Sequence, residues 1–336
     1  MKLTFFDAQL GDTDRLKLAL PDFEVEVVEG TLQENVGQAM EADLVSVFVT
    51  SRVQKEEMEK MPQVKMIATR STGYDHIDLA EAAKHKMIVA NVPTYGQNTV
   101  AEHAFALILA LSRKIFQSYE KTENMDFDRD GLEGFDLKNK TLGVVGSGNI
   151  GRHSVMIGRG FGMKVLVYDI KPDEELAKET GCTFTTDLEE LLQKSDVITL
   201  HVPYIPNVTH HLINKQNITK IKRGGILVNT SRGAVVDTEA LLWALEDGIL
   251  SGAGLDVLEE ENPTFDHIGL LSKGFPAGQD IATLLRNHIL VARDDVIITP
   301  HNAFNSTEAK QRIFDTTIEN IKAFAASNPV NVVEKK

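Results

Sequence analysis

TLGVVGSGNIGRHSVMIGRGFGMKVLVYD, residues 141–169, decides how the chain is to be read. Leu142 to Val145 form a short apolar run suited to a buried parallel strand. Gly146, Gly148 and Gly151 follow as G-x-G-x-x-G, and a helix-compatible stretch comes next. Lys164 to Tyr168 read as a second strand, with Asp169 at its carboxyl end. Each piece has a physical task. Gly146 makes the tight turn, Gly148 lets the backbone approach a pyrophosphate, and Gly151 permits close packing of helix on strand. The helix N-terminus presents free N–H groups and a positive dipole end to phosphates. Asp169 stands where a carboxylate accepts hydrogen bonds from an adenosine ribose and repels a 2′-phosphate. A glycine triplet alone is weak, but strand, helix and acid in register define a dinucleotide site. The carboxylate selects NAD over NADP, with Lys171 close enough in sequence to soften that choice.

Outward from this motif the chain alternates strand and helix signals. Before it, Leu3–Phe6, Val25–Val28, Leu44–Val49, Val64–Thr69 and Met87–Val92 read as strands, separated by helix-compatible stretches such as Thr31–Ala42 and Leu79–Lys84. That series implies a parallel sheet. Asn98 to Glu120 reads as one long helix, capped by Asn98 or Thr99, with Val100, Ala104, Leu107, Ile108 and Leu111 on one face. Its length suits an element crossing between domains or packing against a partner subunit, and its apolar face is longer than one domain edge needs. Residues 121–140 are polar and acidic. After the motif, Asp196–Leu200, Gly225–Asn229, Gly252–Leu255 and Val296–Thr299 continue as strands, making six from Thr141 to His301. Helices are expected at Leu188–Lys194 and Thr238–Asp247. A last helix, Glu308–Ala326, is expected to return to the first sheet.

Length and composition bound the answer. The chain has 336 residues, enough for two domains, and a formal net charge of −14, which opposes a nucleic-acid surface. Acidic residues follow the apolar run of MKLTFFDAQLGDTD, unlike a secretory leader. The apolar run Ala104–Leu111 is far too short to span a bilayer. The lone cysteine, Cys182, forbids an internal disulfide and points to a reducing, cytoplasmic setting. Neither a nucleic-acid nor a membrane partner is expected.

Three loops follow strands of the second sheet and converge on its ligand edge. They are NTSRGAVVD with Arg232, GLDVLEEENP with Asp256 and Glu261, and IITPHNAF with His301. Singly, each fits an ordinary role: a surface arginine, a solvated glutamate run, a structural histidine. Jointly, an arginine, a carboxylate and a histidine beside a nicotinamide form a reaction centre. Other features read as structural. His210 and His211, if on a strand, face opposite ways and share no metal; no metal site is expected. His103 reads as a packing or interdomain contact. Gly158, Gly160 and Gly162 read as a helix stop and turn.

The chain resembles the D-isomer-specific 2-hydroxyacid dehydrogenases over nearly its whole length. The resemblance rests on TRSTGYDHID (69–78), NVPTYGQNTVAEHAF (91–105), the glycine motif, LHVP (200–203), NTSRGAVVD (229–237), GLDV (254–257) and TPH (299–301). Tyr95 and the long stretch between Glu261 and His301 bring it nearest the D-lactate dehydrogenase branch. The resemblance implies an α/β chain of two doubly wound domains. A Rossmann-type NAD-binding domain (99–302) is inserted into a flavodoxin-like catalytic domain (1–98 and 303–336). It implies that Arg232 holds a substrate carboxylate, that His301 is the acid–base, and that Glu261 stabilises its imidazolium. Thr72, Gly73, Tyr74 and Tyr95 would meet the substrate. Asn149 and Ile150 would lie under the pyrophosphate, and Val202, Pro203, Asn207, Thr230 and Asp256 would line the rest of the cofactor. The implied reaction is reduction of a short 2-keto acid, pyruvate to D-lactate, by a homodimer. Glyoxylate, hydroxypyruvate or a branched 2-keto acid are alternatives, as is an NADH-sensing co-repressor. Two departures stand out: NAFNS follows His301 where many lactate-type relatives carry threonine and an aromatic pair, and FDHIGLLSKGFPAGQD lengthens the last loop, either over the site or as a surface excursion.

Overall fold

The computed structural model describes residues 1–9, 11–261 and 280–333. Contacts divide the chain into one unit of Met1–Tyr95 with Ser306–Lys336 and a second of Gly96–Asn305.

The first unit is built on five parallel strands: β1 (Lys2–Phe5), β2 (Glu24–Val27), β3 (Leu44–Val47), β4 (Met66–Thr69) and β5 (Ile88–Ala90). Their order is β2-β1-β3-β4-β5, the flavodoxin-like winding. The central strands are buried on both faces, which is why they read as unbroken apolar runs. Phe6, Val45, Val47 and Ile67 pack on one side. Leu3, Phe5, Leu44 and Met66 face the other, where they meet Ile318 and Ile321. Those two residues belong to the helix Thr307–Ala325, which closes the first sheet as its place after the second sheet led one to expect. The segment expected as one helix from Thr31 divides into α-helix Leu32–Asn35 and a 3₁₀ turn Val36–Ala39.

Among its described residues the second unit carries seven parallel strands, one more than the sequence reading found: β6 (Thr141–Val145), β7 (Lys164–Tyr168), β8 (Thr183–Thr185), β9 (Val197–Leu200), β10 (Gly225–Asn229), β11 (Leu250–Leu255) and β12 (Val296–Ile298). The order is β12-β11-β10-β9-β6-β7-β8, the doubly wound dinucleotide-binding arrangement. The extra strand, β8, is a three-residue edge with one buried side chain, too short and polar to carry a periodic signal. The winding reverses between β6 and β9, which pair directly, and ligands bind at such a switch point.

The long helix expected from Asn98 to Glu120 is two. The first runs Gln97–Ser112 and is capped by Gly96, not by Asn98 or Thr99. Asn98 instead bonds Glu102 on the exposed face, 2.9 Å, and Thr99 is buried. Lys114 then adopts a left-handed φ of 49°, and a second helix runs Ile115–Glu123. Val100, Ala104, Leu107 and Ile108 are buried within their own unit, against its sheet and the helix after the glycine loop. Leu111 is half-buried, so most of the expected face is already covered within the unit. Ile115, Phe116 and Tyr119 of the second helix are exposed. Among the described residues no helix is long and apolar enough to cross a membrane.

Candidate active site

The glycine loop joins β6 to the helix Asn149–Gly160 and shows three different reasons for glycine. Gly146 sits at φ +92°, and a Cβ there would lie 2.7 Å from the carbonyl oxygen of His201. At Gly151 a Cβ would fall 1.9 Å from the Gly146 carbonyl oxygen, so this residue closes the turn upon itself. The close approach of helix to strand is made instead at Gly158, where a Cβ would meet Leu142 at 2.6 Å. Gly158 thus lies inside the helix as a packing residue and is not part of its stop, in contrast to the sequence reading. Gly148 differs from all of these: a Cβ there meets nothing within 4 Å. It caps a helix whose first turn has no side-chain acceptor, and Asn149 and Gly148 are exposed. Backbone donors facing open space at a helix N-terminus suit a pyrophosphate.

Asp169, beyond the end of β7, accepts hydrogen bonds from the Ser147 N–H (2.7 Å) and hydroxyl (2.8 Å) and from the Lys171 N–H (3.0 Å). Partial burial pushes its carboxyl up, but these hydrogen bonds outweigh it and hold the group below the usual carboxylate range. The site therefore keeps a full negative charge at the strand end. Ser147, which ties that charge to the glycine loop, had no role in the sequence reading. Beneath the loop, the His201 Nε2 lies 2.8 Å from the Ser154 hydroxyl and 3.0 Å from that of Thr199. Burial pushes this imidazole down to about 3, so it is neutral and structural. Val202 packs beside Gly146, while Pro203 and Asn207 lie in the exposed loop after β9, Asn207 with a left-handed φ of 63°. Thr230, just past β10, has a buried hydroxyl with no hydrogen-bond partner among the described residues. An orphaned hydroxyl, an open Gly148 and a fixed Asp169 together fit a dinucleotide.

Arg232, Glu261 and His301 follow β10, β11 and β12, which are sheet neighbours, so all three leave the same edge. Asn229, at the end of β10, accepts from the N–H and hydroxyl of Ser231 and donates to the Arg232 carbonyl at 2.9 Å. This buried amide shapes the turn that delivers the half-buried Arg232. The sequence reading assigned it nothing, although its place at a strand end was visible. Nδ1 of His301 lies 2.9 Å from the Glu261 carboxylate, with the side chains 31% and 21% exposed. A carboxylate only accepts, so Nδ1 carries the hydrogen in this contact and Nε2 is left for chemistry.

His301 has φ +52°, unusual for a residue with a Cβ. Asp256, 1% exposed, holds that turn. Its backbone carbonyl accepts from the His301 N–H at 2.9 Å, and its carboxylate accepts from the N–H groups of Asn302 (2.7 Å) and Ala303 (2.9 Å) and from the Thr299 hydroxyl. The residue expected to line the cofactor is thus also the anchor of the acid–base loop. His103, on the helix Gln97–Ser112, reaches the Thr299 hydroxyl at 3.1 Å and is a packing contact within the second unit.

His210 and His211 are not on a strand. Their rings stack at 3.9 Å, because His211 takes a left-handed φ of 49°, and His211 bonds Glu259. Among the described residues no group of three or more His, Cys, Asp or Glu side chains is arranged to hold a metal ion. Cys182 is buried in the core of the second unit. Of the segment FDHIGLLSKGFPAGQD, all but Asp280 lies outside the described residues.

In the first unit, Thr72, Gly73 and Tyr74 follow β4. The Ser71 hydroxyl donates to the Gly73 carbonyl (2.6 Å), that of Thr72 to Val92 (2.9 Å), and Ile77 N–H to Tyr74 (3.0 Å). The Tyr95 carbonyl accepts from Arg312 at 2.7 Å. Arg70, buried, donates to the Ser46 hydroxyl and the Phe6 carbonyl and lies 3.9 Å over the Phe5 ring. Burial pushes it down to about 10, which leaves it charged, and it braces the strand ends.

The model of the D-isomer specific 2-hydroxyacid dehydrogenase NAD binding domain matches residues 105–303. A D-lactate dehydrogenase of Curvularia clavata is 36% identical over 98% of this chain and 94% of its own. A glyoxylate reductase of Thermococcus litoralis is also 36% identical, over 91% of this chain and 87% of its own. The crystal structure of D-lactate dehydrogenase from Aquifex aeolicus, complexed with NAD and lactic acid, is 38% identical and superposes with a TM-score of 0.87, over 99% of this chain and all of the other. The chain belongs to the D-isomer-specific 2-hydroxyacid dehydrogenases. It is an NAD-dependent oxidoreductase with a Rossmann NAD-binding domain.

Proposed function

We propose that the chain reduces a short 2-keto acid, pyruvate foremost, to the D-2-hydroxy acid. The observation that carries this is the His301–Glu261 pair, 2.9 Å apart, on the strand edge that also bears Arg232. NADH bound on the glycine loop supplies the hydride. Arg232 holds the substrate carboxylate with its planar fork, which a lysine does not reproduce. Nε2 of His301 gives its proton to the ketone oxygen, so that hydride and proton together complete the alcohol. Glu261 stabilises the imidazolium and fixes the ring, and in the reverse direction the same nitrogen takes the proton back. Gly146, Gly148, Asn149, Ile150 and Gly151 serve the pyrophosphate and Asp169 the ribose. Val202, Pro203, Asn207, Thr230 and Asp256 serve the remainder of the cofactor. Thr72, Gly73, Tyr74 and Tyr95 serve the substrate. Residues 1–98 with 303–336 form the substrate domain and 99–302 the cofactor domain in this reading. The chain works as a homodimer in the cytoplasm.

The D-lactate dehydrogenase relatives support pyruvate, and the Thermococcus litoralis glyoxylate reductase keeps glyoxylate as the second reading. NADH oxidation across pyruvate, glyoxylate, hydroxypyruvate, phenylpyruvate and 2-ketoisocaproate separates them, with pyruvate expected to give the highest kcat/KM. Saturable NADH binding with no turnover of any of them would instead indicate a sensor.

A further inference from the structure

Glu259, Glu260 and Glu261 form an acidic run that, by sequence, reads as a solvated loop. The structure separates them. Glu260 takes a left-handed φ of 49°, and its two neighbours turn to different partners. Glu261 meets His301, whereas Glu259, with its side chain only 14% exposed, turns to the loop that follows Arg232. One carboxylate oxygen of Glu259 accepts from the Thr238 N–H at 3.0 Å and from its hydroxyl at 2.6 Å. The other lies 2.7 Å from Nε2 of His211. His211 in turn donates its backbone N–H to the Ala234 carbonyl at 2.8 Å. The Glu259 carbonyl accepts from the Asn287 side chain at 2.6 Å, on the helix Ile281–Val291. Between the two loops the backbones touch so closely that a Cβ on Gly233 would lie 2.0 Å from the Leu258 carbonyl carbon.

We propose that Glu259 is a positioning residue that clamps the loop of Arg232 to the loop of Glu261 through Thr238 and His211. The inference rests on the function proposed above. Arg232 and Glu261 sit on separate loops, and the reaction needs the carboxylate fork and the acid–base pair in fixed register. Glu259 contacts both loops and neither reacting atom. Its run has one acid for chemistry and one for register, separated by a reversed residue.

The test compares Glu259→Ala with Glu259→Gln. The amide keeps an acceptor for Thr238 and offers a donor to His211, so it retains the clamp without the charge. A shift of about 1 Å in catalytic groups costs about 100-fold, so Glu259→Ala should lower kcat/KM for the keto acid by about that factor, with kcat falling and KM rising, while Glu259→Gln recovers most of it. NADH affinity, measured by fluorescence, should stay within about threefold of wild type in both. Crystal structures of the two variants need no substrate: the 2.9 Å contact between His301 and Glu261 should open in the alanine variant, as the loop of Glu261 drifts away, and return in the glutamine variant. A folded Glu259→Ala protein with wild-type kcat/KM and an unmoved His301–Glu261 contact overturns the proposal. Should the alanine variant not fold, Thr238→Val removes the hydroxyl donor while keeping the backbone N–H bond, and His211→Ala removes the imidazole; each should cost about 3- to 10-fold in kcat/KM, a partial displacement, and wild-type behaviour in both also overturns it. A wild-type protein that turns over no 2-keto acid overturns the proposed function, and the His301–Glu261 contact in the variant structures then still decides the clamp.

Discussion

Gly148 and Gly151 stand three residues apart in one loop, and alanine at each should fail in a different way. At Gly151 the new methyl would lie 1.9 Å from the Gly146 carbonyl oxygen, and a backbone atom in a tight turn has nowhere to retreat. Overpacking of that kind costs about 1–3 kcal/mol. For a unit of this size each kcal/mol lowers Tm by about 2–4 °C, so a fall of about 2–12 °C is expected in the protein without nucleotide. At Gly148 the methyl meets nothing within 4 Å, so the free protein should melt within about 0.5 kcal/mol of wild type. The same methyl would occupy space in front of the first helical N–H groups, where the phosphates are proposed to lie. NADH binding should weaken about tenfold or more, or about 1.4 kcal/mol. Differential scanning fluorimetry without ligand and NADH fluorescence titration read the two effects separately. Gly151→Ala with an unchanged Tm would refute the steric argument. Gly148→Ala with wild-type NADH affinity would refute the placement of the pyrophosphate.

Arg232→Lys should lower kcat/KM for pyruvate about 100-fold with NADH affinity nearly intact, since the charge survives and the fork does not; near-normal steady-state kinetics would remove Arg232 from the substrate site. His301→Ala should abolish most turnover, and Glu261→Gln should lower kcat about 10-fold or more, because the carboxylate that fixes the ring through Nδ1 is gone; a wild-type kcat in the glutamine variant would dissociate Glu261 from His301. Wild type should use NADH far better than NADPH, and Asp169→Ala should narrow that gap from both sides, with Lys171 then available to the phosphate. A wild-type preference for NADPH contradicts the role given to Asp169. Sedimentation at micromolar concentration should give a dimer, and substituting the exposed Phe116 and Tyr119 with charged residues should weaken it; a monomeric wild type counts against the assembly.

The sequence by itself determined that both sheets are parallel and where the dinucleotide loop lies, because strands buried on two faces must be apolar throughout and glycine motifs mark where backbone meets phosphate. It also placed Arg232, Glu261 and His301 at strand ends, since each follows an apolar run by a few residues. It overstated the helix at Asn98, where propensity continues through Arg113 and Lys114 but a left-handed turn at Lys114 breaks it. It missed β8, whose three residues gain their place from pairing with Tyr168 and its neighbours and not from their own pattern. Only tertiary structure decided the supporting cast. Asp256 reaches three donors across the turn at 299–303, and Glu259 reaches His211 and Thr238 across loops far apart in sequence. Such contacts depend on where separate strands release the chain, and a carboxylate in a run of glutamates carries no local sign of which partner it will meet.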